Sequence, residues 1–146
     1  MRKAFSFLEV IITLVILALI GAFLALGAAK VFDNFSDKNA KDRLLILSSG
    51  QLQFYENRGR FATSPDELLS IEPNYSYALS GQPSQGEMIS SEANSTRLGL
   101  ATLSSSGKCF LLSVFPPSSN LDNLSGVLES SSCYGSDALT LTEKTW

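Results

Sequence analysis

The apolar residues of this chain are gathered toward one end. Between Phe5 and Ala29 the only ionisable side chain is Glu9. As a helix, that run of about 25 residues is long enough to cross a bilayer. Beyond Lys30 the apolar positions become spaced instead of continuous. Ala40, Leu44, Leu47, Gln51 and then Phe54 or Tyr55 recur near i, i+4, i+7, with Gln51 the only polar member. This spacing marks an amphipathic helix. Lys38, Lys41, Asp42 and Arg43 sit largely off the stripe. Together the two patterns predict one helix from about Phe5 to Asn57, roughly 80 Å long at 1.5 Å per residue. It is apolar on all sides over 5–29 and on one face over 30–57. The stripe covers too few heptads for a coiled coil.

Gly59 is placed to end that helix as its C′ residue. Ser64-Pro65-Asp66-Glu67 then reads as a helix start, with Ser64 as N-cap, Pro65 at N1, Glu67 at N3, and Leu68 and Leu69 as buried positions. After Ile71 the signals change to strands and turns. Tyr75–Leu79, Arg97–Leu103 and Cys109–Phe115 are the expected strands, with Thr140–Thr142 as a weak edge strand. Ser80-Gly81 and Ser106-Gly107 mark turns, and Pro116-Pro117 ends the third strand. Lys108–Val114 reads as a central strand and Ser118–Ser132 as a polar loop. The expected class is α+β: a long N-terminal helix packed on a three- or four-stranded antiparallel sheet in a head domain over 58–146.

Composition narrows the function. At 146 residues the chain holds about one domain, and 45% hydrophobic with 17% charged residues excludes a disordered one. A net charge of −3 gives no support to a nucleic-acid partner, so direct binding of nucleic acid is not expected. Histidine is absent, which removes the usual general base and the commonest metal ligand. There is no Gly-rich phosphate loop, no G-x-S-x-G elbow and no metal-type cysteine cluster. Asp122-Asn123 is weak evidence for calcium. No catalytic residue, cofactor or metal is expected. Cys109 and Cys133 are the two cysteines. If their half leaves the cytoplasm, a disulfide is the natural reading, and closing a loop of about 25 residues would stabilise the fold by roughly 3 kcal/mol. Two free buried thiols are the alternative.

Arg2 and Lys3 precede the apolar run and place the N-terminus on the cytoplasmic side. Three readings of the segment compete. It could be a secretory signal cut after the apolar run, where Ala25-Leu26-Gly27 offers small residues, although the run exceeds the ~7–15 residues of a signal core. It could be a plain single-pass anchor. Or it could be a precursor cut before the run, after Ala4. Ala4-Phe5-Ser6-Phe7-Leu8-Glu9 favours the last. Here the sequence resembles the N-terminus of the type IV pilin and pseudopilin family, with its class III prepilin-type cleavage and methylation motif. Met1 to Ala4 match the short basic leader, Ala4 the small residue, Phe5 the aromatic first mature residue and Glu9 the acidic position. Val10 to Leu17 continue the match. The resemblance is close over about the first 30 residues and looser to about Leu69, where Phe54-Tyr55 precede Asn57-Arg58-Gly59-Arg60-Phe61. Ala4 stands where the family most often has Gly, and Ser6 where Thr is more usual. No helix-kinking Pro lies between Leu24 and Ala28, although Gly21 and Gly27 could soften the helix.

Glu9 has two local explanations. Ser6 and Glu9 form S-x-x-E, a capping box, and an acid in the first helical turn suits the helix dipole. The resemblance implies a third role. Cleavage between Ala4 and Phe5 creates a new amine on Phe5, commonly methylated in the family. Glu9 of one subunit pairs with that amine on its neighbour, neutralising both charges as helices pack into an apolar core. The implied function is a structural subunit of a pilus-like surface filament serving adhesion, motility or DNA uptake. The implied partners are a prepilin peptidase, an inner-membrane assembly platform, a cytoplasmic ATPase and further copies of the chain. The precursor is expected in the cytoplasmic membrane and the assembled form in an extracellular or periplasmic filament. A pseudopilin of a secretion or competence machine is the alternative within the family. A membrane-anchored extracytoplasmic binding domain is the alternative outside it.

Overall fold

The computed structural model describes residues 7–146, apart from the side chains at positions 23–26, 28 and 29. The chain divides into two compact units, Met1–Phe35 and Ser36–Trp146. One helix, α1 (Phe7–Arg58, 52 residues), runs through both. Two short helices, α2 (Pro65–Ile71) and α3 (Gly135–Ala138), and four strands, β1 (Ile89–Ala93), β2 (Leu98–Leu103), β3 (Lys108–Val114) and β4 (Leu124–Glu129), belong to the second unit. The strands form one antiparallel sheet in the order β1-β2-β3-β4. The α+β class and the small antiparallel sheet expected from sequence are therefore present.

In the second unit α1 buries the expected stripe. Ala40, Leu44 and Leu47 join Ile89, Leu98, Leu100, Phe110, Leu112 and Val114 of the sheet in one apolar core, with Phe61 and Leu68 beside them. Burial of each such Leu side chain contributes about 1.5–3 kcal/mol. Gln51, the polar member of the stripe, is fully buried. Its Nε2 donates to Ala62 O at 2.8 Å and its Oε1 accepts from Ala62 N at 2.9 Å. A side-chain amide has one donor group and one acceptor, so it satisfies the backbone of a loop residue the way a strand would. α1 then stops as expected: Gly59 takes φ 70° and its N–H bonds Tyr55 O at 2.7 Å.

The opposite face of the sheet has a smaller core of Ala101, Cys109, Leu111, Cys133 and Ala138. α3 packs there against β2 and β1 so closely that a Cβ on Gly99 would lie 2.1 Å from Gly135 O. With both faces covered, β2 and β3 read as nearly continuous apolar runs, which is why they were legible in sequence.

Five expectations are corrected. Tyr75–Leu79 is not a strand; Tyr77 makes only an isolated parallel bridge to Ile89. β1 was not expected, because its Ile-Ser-Ser-Glu-Ala sequence fills buried positions with serine: Ser90 Oγ donates to Gln82 O at 2.7 Å and accepts from Gly135 N at 3.0 Å. β4 lies inside the stretch expected to be loop, Ser118–Ser132. Thr140–Thr142 forms no strand. In α2, Ser64 caps the helix by accepting from Glu67 N and Leu68 is buried, but Leu69 is exposed.

Candidate functional site

The candidate assembly segment lies in the first unit. Ala4 and Phe5, the expected cleavage and methylation positions, fall outside the described residues, as does Ser6 of the expected capping box. Glu9 stands in the first turn of α1, exposed. Its backbone carbonyl accepts a hydrogen bond from Thr13 Oγ1 at 2.7 Å. Every described side chain from Phe7 to Ala22 is exposed, and among them are Phe7, Leu8, Val10, Ile11, Ile12, Leu14, Val15, Ile16, Leu17, Leu19 and Ile20. At about 1 kcal/mol for each half-exposed large apolar side chain, leaving these in water would cost on the order of 10 kcal/mol. That matches the entire net stability of a typical domain, about 5–15 kcal/mol. The chemistry of the surface is uniform: apolar on all sides, interrupted by one carboxylate. Among the described residues no helix is long and apolar enough to cross a membrane.

The second unit holds the expected disulfide. Cys109 on β3 and Cys133 are bonded, with Cα atoms 5.4 Å apart and a sequence separation of 24. Both cysteines are fully buried. The bridge closes a loop that contains β4, so it fixes the segment returning from the sheet edge toward α3. Cys133 O also accepts from Ser84 N at 2.7 Å, which ties in the segment before β1.

A polar clamp that sequence reasoning missed joins α1 to the β2–β3 turn. Asp37 Oδ1 accepts from Ser104 Oγ at 2.8 Å and from Ser106 Oγ, while Oδ2 accepts from Lys108 Nζ at 2.9 Å. Ser36 Oγ lies 2.8 Å from Ser104 Oγ and accepts from Ser105 N at 3.0 Å. Burial pushes the Asp37 pKa up, but the hydroxyls of Ser106 and Ser104 and the Lys108 ammonium outweigh it and hold the carboxyl below its ordinary value. Gly107 at φ 86° makes the turn. The Ser104-Ser105-Ser106 run was the available signal, since three hydroxyls beside a turn glycine offer donors to a nearby acid. Near the end of α1, Arg60 pairs with Glu67 on α2, one bond measuring 3.1 Å.

No family model, no curated protein and no solved structure matches the chain.

Proposed function

We propose that this chain is the structural subunit of a type IV pilus-like filament, stored in the cytoplasmic membrane and polymerised through the first half of α1. The observation that carries the reading is the exposed apolar surface of residues 7–22 with Glu9 as its one charge. Such a surface is stable only in lipid or among other apolar helices. The whole apolar run of the sequence, Phe5–Ala29, is longer than that stretch and suits the first of these settings.

In this reading Arg2 and Lys3 hold the leader in the cytoplasm. A prepilin peptidase cuts between Ala4 and Phe5, and the Phe5 amine becomes the partner of Glu9 on the adjacent subunit. Pairing removes two charges from an environment where each alone would be costly. Extraction from lipid falls to a membrane platform and an ATPase, and the disulfide-closed second unit faces outward. A disulfide formed outside the cytoplasm fits that direction.

The test is Glu9→Ala in the native cell. The precursor should accumulate in the membrane at its usual level, while fibres sheared from the surface fall at least tenfold. Fibres in normal number would refute the pairing.

A further inference from the structure

Four Asn-x-Ser/Thr triplets occur in the sequence: Asn34-Phe35-Ser36, Asn74-Tyr75-Ser76, Asn94-Ser95-Thr96 and Asn123-Leu124-Ser125. Such a triplet is the acceptor pattern for an N-linked glycan when it lies in an outward-facing surface loop. The fold separates the four. Asn34 lies inside α1, where residues two apart point to different sides, and Ser36 Oγ already accepts from Ser105 N at 3.0 Å. Ser125 is buried in β4, and Asn123 Oδ1 is taken by Phe115 N at 3.2 Å. At Asn74 the middle residue, Tyr75, is packed against the core with the Arg43 guanidinium 5.8 Å from its ring. Among the described residues no hydrogen bond joins Asn74 to Ser76.

Asn94-Ser95-Thr96 differs from these. It belongs to the β1–β2 turn, and all three residues are exposed. Asn94 Oδ1 accepts from Thr96 N, Thr96 Oγ1 and Arg97 N, each at 2.9 Å. Two of these donors are backbone N–H groups, so the atom they meet is the amide oxygen, and Nδ2 is the atom left over. Among the described residues nothing bonds Nδ2. Three donors on Oδ1 draw charge onto it, which fixes the amide in one orientation and makes an Nδ2 proton easier to remove. Glu92 stands two residues earlier, an acid that a basic subsite on a transferase can hold. Beside the turn, Asn94 and Ser95 border a groove of about 340 Å³ lined also by Tyr55, Arg60, Phe61 and Pro116. The Tyr55 and Phe61 rings, with centroids 4.7 Å apart, give it an aromatic wall on which the apolar face of a sugar ring can rest.

We propose that Asn94 is the acceptor of an N-linked glycan, added by a membrane oligosaccharyltransferase from a polyisoprenyl-diphosphate-linked sugar. Nδ2 attacks the anomeric carbon of the donor. The N–C bond forms as the bond from that carbon to the diphosphate oxygen breaks. The lipid diphosphate leaves with the electron pair, and a base of the transferase takes the Nδ2 proton. Nothing is oxidised or reduced. The inference rests on the filament reading only for the outward placement of residues 36–146.

The experiment is peptide-level and intact-mass spectrometry of the full chain isolated from its native cell, comparing the parent with Asn94→Asp, Thr96→Ala and Thr96→Ser. Asn94→Asp keeps an oxygen to accept the turn's hydrogen bonds and lacks Nδ2, so it tests the chemistry without removing the turn. The parent should carry a glycan on the peptide that contains Asn94. Asn94→Asp should lose it completely, Thr96→Ala should lower its occupancy at least tenfold, and Thr96→Ser should retain it. An unmodified Asn94 overturns the proposal whatever the state of the N-terminus, and so does a glycan found only at Asn34, Asn74 or Asn123, or one that Thr96→Ala leaves at full occupancy. A glycan on Asn94 of a chain that keeps Met1 supports the proposal and counts against the filament reading alone.

Discussion

Residues 7–22 and residues 40–51 of α1 both draw heavily on Leu, Ile and Ala, yet they end in opposite surroundings. In the first stretch every described side chain is exposed. In the second, Ala40, Leu44, Leu47 and Gln51 are buried, while Leu45 and Ile46 remain exposed. Periodicity separates them. Apolar residues spaced at three and four positions make a stripe that one sheet can cover, whereas an unbroken run makes a cylinder that no single face can. The second stretch is thus satisfied by the sheet of its own unit, and in the proposed reading the first is satisfied by lipid or by neighbouring helices. Substitutions in the second unit should therefore change stability, and those around Glu9 should change assembly without touching it.

The largest effect is expected at Gly99. A valine there would drive its Cβ into the Gly135 carbonyl, a backbone atom that cannot swing aside. Gly99→Val should abolish the folded second unit, read as loss of the cooperative thermal transition. Cys133→Ser comes next. Opening the 24-residue bridge should cost about 3 kcal/mol and lower Tm by roughly 10 °C or more under non-oxidising-sensitive conditions identical for both proteins. Gln51→Leu fills the stripe with the apolar residue its spacing invites, but leaves both Ala62 backbone groups without partners. Denaturant titration should show a loss of about 2 kcal/mol, while an unchanged midpoint would mean that the amide contributes nothing.

A smaller and pH-dependent effect belongs to Asp37. Its folded-state pKa lies below the ordinary 3.8, so the clamp adds stability above that value and loses it as pH falls through the lower folded value. Asp37→Asn should flatten the acid limb of the stability curve and leave the slope near neutrality alone. The smallest effect is expected from Glu9→Ala, which should leave the thermal transition of the second unit in place, because Glu9 belongs to the first unit. A large shift in that transition would erase the distinction between the two stretches.

Legibility followed the same physics. The extent of α1, its Gly59 stop, the Ser64 cap and the two central strands were readable because each depends on local chemistry or on a long apolar run. Both edge strands were missed. In β1, Ser90 and Ser91 occupy buried sites where a hydrophobic residue would have given the signal. In β4, Ser125 and Gly126 are buried under Trp146 and Leu141, residues distant in sequence that supply the missing apolar cover. Tyr75–Leu79 misled in the other direction: Tyr77 is buried and bonds Glu72 O at 2.9 Å, so its aromatic character serves packing and not a ladder. At the candidate site, the Cys109–Cys133 bridge was legible from the cysteine count together with the expectation that their half leaves the cytoplasm, whereas the Asp37 clamp was not, since its members lie about seventy residues apart.

The central claim is that the apolar half of α1 is first held in lipid and then moves into a polymer after cleavage. The most direct test is N-terminal sequencing with intact-mass measurement of protein sheared from the cell surface. The account predicts a chain beginning at Phe5 with a methylated amine. A surface-exposed chain that retains Met1, or one that begins near Ala28, would contradict it.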